Sequence, residues 1–190
     1  MDKNISEELK GKDFLTLLDY STDQITYLLQ LAKELKAKQK SGKLYHPLKG
    51  KILGLVFEKS STRTRVSFET GIYQLGGTGL FLSTNDLQLG RGEPISDTAK
   101  VLSSYLDGIM IRTFHQSDVE ALAENAAIPV INGLTDDFHP CQVLADLQTI
   151  EEVKGKLSGL KLAFIGDGNN MANSLMIGAA KMGIHFSLAS

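Results

Sequence analysis

The sequence predicts an α/β protein built on a parallel sheet with helices on both faces. Apolar runs of six or seven residues alternate with helical patterns of about ten residues or more, an order typical of right-handed βαβ units. Beyond residue 159 only two strand patterns and one helical pattern remain, too few elements to cover both faces of a new sheet. We therefore expect one α/β domain followed by the first βαβ unit of a second, incomplete α/β domain.

The first strong helical pattern covers residues 21–42. Ser21 or Thr22 can cap its start, and lysines precede Gly42 at its end. Between these signals, apolar residues recur at the spacing of one helix face: Ile25, Leu28, Leu29, Ala32 and Leu35. The pattern predicts an amphipathic helix.

Strand and helix patterns then alternate up to about residue 150. The run KILGLVF is short, apolar and rich in branched residues, which predicts a buried strand over 51–57. The next helix presents Phe68, Ile72 and Leu75 on one face and should stop at Gly76-Gly77. The remaining elements expected here are strand 78–83, loop 85–94, helix 96–106, strand 108–114, helix 117–127, strand 128–134 and helix 139–155.

A domain boundary is expected in EEVKGKLSG, residues 151–159, where charged residues and glycines interrupt the apolar rhythm. Beyond it the patterns predict strand 160–166, helix 169–183 and strand 184–190. A half-built sheet leaves apolar side chains uncovered. We therefore expect Leu175, Ile177 and Leu188 to be exposed.

Composition narrows the classes of function. The chain is 42% apolar and 22% charged, which is ordinary for a soluble folded protein and excludes disordered and fibrous classes. Its net charge of −2 provides no broad positive field, so we expect no nucleic-acid or membrane partner and only a local anion site. A single cysteine, Cys141, and a first segment without a signal-peptide core favour the cytoplasm. The four histidines are scattered, so no metal is expected.

Polar and charged segments follow several predicted strands at their carboxyl ends, where open parallel sheets bind ligands. They are SSTRTR after the strand at 51–57, Arg112 at the end of GIMIR, and the later segments DDFHPCQ and GDGNN. Hydroxyls of SSTRTR can cap the next helix, whose free N–H groups and positive dipole end can bind a phosphate. Arg63 and Arg65 can add charge-assisted hydrogen bonds. The stretch predicts a phosphate site without the GxxxxGK[ST] pattern of nucleotide triphosphate sites.

Each of these motifs also has an ordinary structural interpretation. The alternatives are a capped helix with solvated arginines at STRTR, a surface ion pair at Arg112, a helix entry at His139-Pro140, a small buried residue at Cys141, a loop residue at Gln88 and a turn at GDGNN. Their common placement at strand ends favours a binding site. A dinucleotide site at GDGNN is disfavoured, because no GxGxxG follows the strand.

Four segments together resemble ornithine carbamoyltransferases of the aspartate/ornithine carbamoyltransferase superfamily: FEKSSTRTRVSFE, DLQLGRGEPISDTAKVLSSYLDGIMIRTF, INGLTDDFHPCQVLADLQTI and FIGDGNNMANSL. They span nearly the whole chain in the family's order. The resemblance implies a carbamoyl-phosphate-binding domain over 1–150. It implies an interdomain segment and the start of a truncated ornithine-binding domain over 151–190.

The resemblance also implies an activity. Carbamoyl phosphate would transfer its carbamoyl group to the side-chain amine of L-ornithine, giving L-citrulline and phosphate without cofactor or metal. This reaction belongs to arginine metabolism, in synthesis or in breakdown. The family's acceptor-binding motifs lie beyond Ser190, so we expect these 190 residues alone to bind phosphate compounds weakly and to turn over poorly or not at all.

Site roles follow from the same resemblance, position by position. The phosphate would be held by Ser61, Thr62, Arg63 and Thr64, largely through backbone N–H groups. Arg112 would bridge the phosphate and the carbamoyl oxygen, and His139 would hydrogen-bond that oxygen. The carbamoyl NH₂ would be held by Gln142 with the backbone around Pro140 and Cys141. Arg63, Arg112 and His139 would thus be catalytic.

Two further positions concern the acceptor and the assembly. Asn170 would contact the amino-acid part of ornithine. Gln88 would also bind carbamoyl phosphate. It lies in a loop that in the family reaches the active site of a neighbouring subunit, so a homotrimer or a multiple of trimers is expected. Putrescine or another sister acceptor remains an alternative, and LGRGEPISDT disfavours aspartate because aspartate-using relatives commonly carry a lysine there. A non-catalytic anion-binding module is the third alternative.

Overall fold

In the computed structural model, which describes residues 3–88 and 92–190, the chain forms two parallel sheets. The first sheet contains β1 (Ile52–Phe57), β2 (Thr78–Ser83), β3 (Gly108–Arg112) and β4 (Val130–Leu134) in the order β2-β1-β3-β4. The second pairs β5 (Lys161–Ile165) with β6 (His185–Ala189). Every strand pair is parallel. The predicted parallel α/β architecture is therefore confirmed.

Helices connect these strands and precede them. They are α1 (Lys3–Leu9), α2 (Thr22–Lys40), α3 (Thr62–Gln74), α4 (Ile95–Ser103), α5 (Gln116–Asn125), α6 (Pro140–Lys154) and α7 (Asn170–Lys181). Ser21 caps α2, with its side chain accepting a hydrogen bond from the Gln24 backbone. The sequence did not predict α1, in which Ile5 and Leu9 are only partly buried, because seven residues are too few to show a helical period. In the described part of the chain, no helix is long and apolar enough to cross a membrane.

Side chains of the first sheet alternate between two faces, and helices cover both. On one face Leu55, Phe57 and Met110 form a cluster against which Phe68 of α3 packs. On the other face the buried cluster comprises Val56, Ala99, Leu106, Ile109, Ile111, Val119, Leu122 and Val130, with contributions from α4 and α5. Strands β1, β3 and β4 are buried on both sides, as their continuous apolar runs predict, whereas no residue of the edge strand β2 is buried.

The largest core cluster joins the two parts of the chain. It contains Ile25 and Leu29 of α2, Val143 and Leu147 of α6, and Leu175 and Ala179 of α7, together with Leu17, Tyr20, Leu157 and Ile184. The expected exposure of Leu175 is therefore wrong, since that residue is 9% exposed, and Ile177 is partly buried against the same cluster. Helix α6 and the turn Leu17–Asp19 pack against α7. Leu188, at 46% exposed, is exposed as predicted.

Most boundaries of the predicted elements shift by only a few residues. The strand expected over 108–114 ends at Arg112, and the helix expected over 96–106 ends at Ser103. Gly76 ends the α3 turn with φ +90°, where a Cβ would lie 2.6 Å from Cβ of His46, so glycine is required there. Part of the loop predicted at 85–94, residues 89–91, lies outside the described residues.

Candidate active site

The first element of the site is the start of α3, directly after β1. Ser61 caps this helix: its Oγ accepts a hydrogen bond from the Thr64 backbone N–H at 3.2 Å and donates to Thr64 Oγ1 at 3.1 Å. The N–H groups of Thr62 and Arg63 stand in the first turn, where a helix offers them no carbonyl acceptor. Together with the positive end of the helix dipole, they present donors to an anion.

Arg112 is held beside this helix start. Its Nε donates to the Lys59 carbonyl at 3.1 Å, and its Nη1 lies 3.4 Å from Thr64 Oγ1. The Arg112 carbonyl in turn accepts from the backbone of Glu58 and Lys59. The bonds run in both directions, so they tie the end of β3 to the loop that leads into α3.

Arg63 and Arg112 form an uncompensated pair of positive charges. No carboxylate in residues 3–88 or 92–190 pairs with either one. Burial, and then the positive charge of Arg63, lower the pKa of Arg112, yet a guanidinium remains charged at neutral pH. Two neighbouring cations without a counter-charge favour a bound anion.

Arg65, which the sequence also suggested as an anion ligand, is engaged elsewhere. Its Nε donates to Glu69 Oε1 at 3.1 Å, one turn further along α3. Its guanidinium carbon also lies 3.7 Å from the ring centroid of Phe81 on β2. The two arginines of STRTR therefore differ in environment, and of the two it is the charge of Arg63 that lowers the pKa of Arg112.

His139 stands at the N-cap of α6, at the end of the loop that follows β4. Its backbone N–H donates to Ser174 Oγ of α7 at 2.8 Å. Its imidazole is half-buried, and burial together with the charge of Arg112 lowers the pKa of His139 from 6.5 to about 4. At pH 7 the ring is therefore neutral, able to donate one hydrogen bond and accept another.

The residues after His139 form the first turn of α6. Pro140 is buried at the first helical position, where its missing N–H has no intrahelical role. The thiol of Cys141 lies 3.4 Å from the Asn132 carbonyl, and burial raises the pKa of Cys141 to about 12. It is a protonated packing group and not a nucleophile. Gln142 is exposed and donates from Nε2 to Asp146 at 2.9 Å, which leaves its Oε1 as an acceptor.

Asn170 joins this group, whereas Gln88 does not. The Asn170 Nδ2 donates to the Thr135 carbonyl at 2.6 Å, so α7 begins against the loop that carries His139. Gln88 is exposed, and its carbonyl accepts from the Glu93 backbone at 3.2 Å. Among the described residues, no hydrogen bond links the Gln88 side chain to the other predicted site residues.

Sequence reasoning missed several polar residues that shape the site. Lys59 forms an ion pair with Asp136 at 2.6 Å, which joins the loop before α3 to the loop before α6. Beneath the second loop, Gln116 Oε1 accepts from Asn132 Nδ2 and from Thr135 Oγ1. One sequence feature could have indicated this network, because Asn132 interrupts the apolar run IPVINGL and is fully buried.

A wide surface depression of about 1010 Å³ lies elsewhere. It is lined by residues that include Lys36, Tyr45, His46, Tyr73 and Gly77, beside the start of β2. Ligands of open parallel sheets bind at the carboxyl ends of the strands. The candidate site is therefore identified by that position and by its charges, not by cavity size.

Comparisons with known proteins identify the family of the chain. A family model described as "Aspartate/ornithine carbamoyltransferase, carbamoyl-P binding domain" matches residues 12–152. The chain is 73% identical over 179 residues to an ornithine carbamoyltransferase of Oceanobacillus iheyensis, covering 94% of this chain and 56% of the relative. It is 66% identical over 190 residues to one of Anoxybacillus flavithermus, covering 100% of this chain and 60% of the relative.

A solved structure shows the same fold. The ornithine carbamoyltransferase from Pyrococcus furiosus superposes with a TM-score of 0.90 at 52% identity, covering 94% of this chain and 57% of the other. The chain thus spans somewhat more than half the length of the relatives it matches. With its carbamoyl-phosphate binding domain at residues 12–152, the chain belongs to the aspartate/ornithine carbamoyltransferase family.

Proposed function

We propose that the full-length protein transfers the carbamoyl group of carbamoyl phosphate to the side-chain amine of L-ornithine, giving L-citrulline and phosphate. The observation that carries this proposal is the cluster at the carboxyl edge of the first sheet. There two guanidinium groups, which have no carboxylate partner in residues 3–88 or 92–190, adjoin a capped helix start and a neutral histidine. Such a site suits a substrate with a dianionic phosphate and a neutral carbonyl. The names of the relatives support the same reaction.

The phosphate group would bind at the start of α3. The N–H groups of Thr62 and Arg63 and the Arg63 guanidinium would donate to its oxygens. Ser61 contributes mainly by capping, because its hydroxyl is already bonded to Thr64. These donors also stabilise the phosphate dianion as it leaves, when its negative charge increases.

Negative charge develops on the carbamoyl oxygen when the amine attacks the carbonyl carbon. Arg112, His139 and Thr64 would donate to that oxygen, and removal of one such donor costs about 2.7–4 kcal/mol in reported oxyanion sites. The neutral state of His139 suits this role, because an imidazole with one N–H is a donor that adds no charge. Gln142 Oε1 and the backbone near Pro140 and Cys141 would accept from the carbamoyl NH₂.

Among the described residues no carboxylate or amine contacts the Arg112 guanidinium or the His139 ring. Arg112 bonds to the Lys59 carbonyl and to Thr64, and Nδ1 of His139 has no hydrogen-bond partner. We propose that ornithine enters with its side-chain amine neutral and that orientation of the two substrates supplies much of the rate enhancement. Asn170 would contact the amino-acid part of ornithine through its Oδ1, because its Nδ2 is bonded to Thr135.

We further propose that two parts of the chain have different roles. Residues 1–150 would bind carbamoyl phosphate, and residues 151–190 would be the interdomain segment and the start of the ornithine-binding domain. A trimer would place the Gln88 loop in the active site of a neighbouring subunit. The single thiol of Cys141 fits a cytoplasmic location. The 190 residues alone should bind phosphate compounds weakly and form little citrulline.

The phosphate site is tested by calorimetric titration of the full-length protein with carbamoyl phosphate. Arg63→Ala should weaken binding about 30-fold, corresponding to ~2 kcal/mol for a lost charge-assisted hydrogen bond. Arg65→Ala is the matched control. It removes the same charge two residues further along the chain, and the Arg65 side chain is bonded to Glu69. It should change the Kd less than about twofold. Equal effects of the two substitutions would show that only net charge matters and that the helix start is not the site.

The acceptor is tested by citrulline formation with ornithine, with putrescine and aspartate as competing acceptors. Ornithine should give the highest kcat/KM. A higher kcat/KM for putrescine would mean that the carbamoyl-phosphate site is correctly assigned but that putrescine, and not ornithine, is the acceptor. Binding of carbamoyl phosphate without turnover of any amine would favour a non-catalytic anion-binding module.

A further inference from the structure

The first turn of α7 holds the loop that carries His139. Asn170 Nδ2 donates to the carbonyl of residue 135 at 2.6 Å, and Asn173 Nδ2 donates to the carbonyl of residue 137 at 3.1 Å. Ser174 Oγ accepts from the N–H of residue 139 at 2.8 Å. Positions 170, 173 and 174 lie on one face of a helix. Three side chains of α7 therefore contact alternate residues of one loop.

The His139 ring lacks the contact that usually orients a functional histidine. Such a ring is commonly fixed by a hydrogen bond from the nitrogen that does not act on the substrate. In the part of the chain that the structure describes, His139 Nδ1 is buried without a hydrogen-bond partner. The direction of the ring therefore depends on the backbone of residue 139 and on packing.

Among the described residues, that backbone has one other hydrogen bond, which the His139 carbonyl accepts from the Val143 N–H at 3.4 Å. His139 is the N-cap of α6, with φ −138° and ψ 69°, so its N–H lies before the helical ladder and has no intrahelical acceptor. The preceding residues are held through Thr135, whose Oγ1 accepts from the N–H groups of Asp137 and Phe138. Ser174, which is 2% exposed, supplies the acceptor at residue 139 itself.

From these contacts we propose that Ser174 is a positioning residue for His139. By accepting the His139 N–H, it keeps the imidazole directed at the reacting carbonyl while making no contact with substrate. The inference rests on the proposed carbamoyl transfer. Helix α7 follows the carbamoyl-phosphate binding domain matched at 12–152. Under this proposal, α7 orients a residue within that domain.

The test is Ser174→Ala in the full-length protein, with three measurements. The kcat for citrulline formation should fall between about 10- and 100-fold, the range expected when a reacting group is misplaced by up to 1 Å. The Kd for inorganic phosphate, which probes only the start of α3, should stay within about twofold of the original. Hydrogen exchange of the His139 amide, followed by NMR, should accelerate because its acceptor is lost.

Three further variants separate positioning from packing. Ser174→Cys fills a similar space with a weak acceptor and should lose most of the kcat, as the alanine variant does. Asn173→Ala opens no core cavity, because Asn173 is only partly buried, and should lower kcat in the same direction by a smaller factor. Thr22→Val removes a 2.9 Å hydrogen bond to Lys181 at the other end of α7 and should leave kcat and His139 exchange unchanged.

Several outcomes would overturn the proposal. They are an unchanged kcat in Ser174→Ala and Asn173→Ala, full activity in Ser174→Cys, an equal loss in Thr22→Val, or an unaltered exchange rate of the His139 amide. If the original protein forms no citrulline, the proposed function fails by itself. The exchange measurement still decides whether Ser174 holds residue 139.

Discussion

The two sheets of this molecule use similar strands in different surroundings. In the first sheet the last four residues of β1 and the first four of β3 are all buried. In the second sheet no residue of β5 or β6 is buried, and partly buried Leu162 and Phe164 alternate with exposed neighbours. Both are parallel pairs with branched and aromatic residues. Because the edge strand β2 of the first sheet also has no buried residue, the difference shows that burial depends on the strands and layers around a strand more than on its own sequence.

A matched pair of isoleucines should give the largest contrast between the sheets. Ile109 on β3 is fully buried and Ile165 on β5 is 85% exposed. Ile109→Ala should lower the free energy of unfolding by about 2–5 kcal/mol, because it removes buried methyl groups and leaves a cavity. Ile165→Ala should change it by less than about 0.5 kcal/mol. Urea denaturation followed by circular dichroism measures both, and similar losses would remove the distinction between the sheets.

A smaller effect is expected where the two parts of the chain meet. A Cβ at Gly178 of α7 would lie 2.6 Å from Cγ1 of Val143, which is fully buried on α6. Gly178→Ala should therefore cost about 1–3 kcal/mol through overpacking. Gly71→Ala, in α3, is the control, since no atom lies within 4 Å of its Cβ position. It should stabilise by about 0.5–1 kcal/mol. Equal values from denaturation would indicate that α7 does not pack tightly on α6.

The last effect expected is a pH dependence at the point where α7 meets the loop that carries His139. Folding lowers the pKa of His139 from 6.5 to about 4, so between these values the unfolded chain binds a proton that the folded chain does not. Stability should therefore fall as pH decreases from 6.5 towards 4, and His139→Gln should remove this part of the loss. NMR titration of the His139 ring gives its pKa directly. A value near 6.5 would mean that the ring is open to solvent.

Much of the candidate site could be predicted from sequence because its motifs follow strands. Ser61 caps α3 as its hydroxyl predicted, and Arg112 ends β3 where a parallel sheet binds ligands. The different surroundings of Arg63 and Arg65 could not be predicted, because Glu69 and Phe81 decide the position of Arg65. Ser174 was also beyond local reasoning, since its partner His139 lies 35 positions away in the chain.

The sequence by itself determined the order of strands and helices after α1, the parallel α/β class and the placement of the candidate site residues at the ends of strands. These features depend on local periodicity, capping and the alternation of elements, all of which are properties of neighbouring residues. The tertiary structure alone decided that Leu175 is buried, that Cys141 is a protonated packing group and that His139 is neutral and held by Ser174. Burial and charge at these positions are set by residues distant in the chain, so a local sequence pattern cannot predict them.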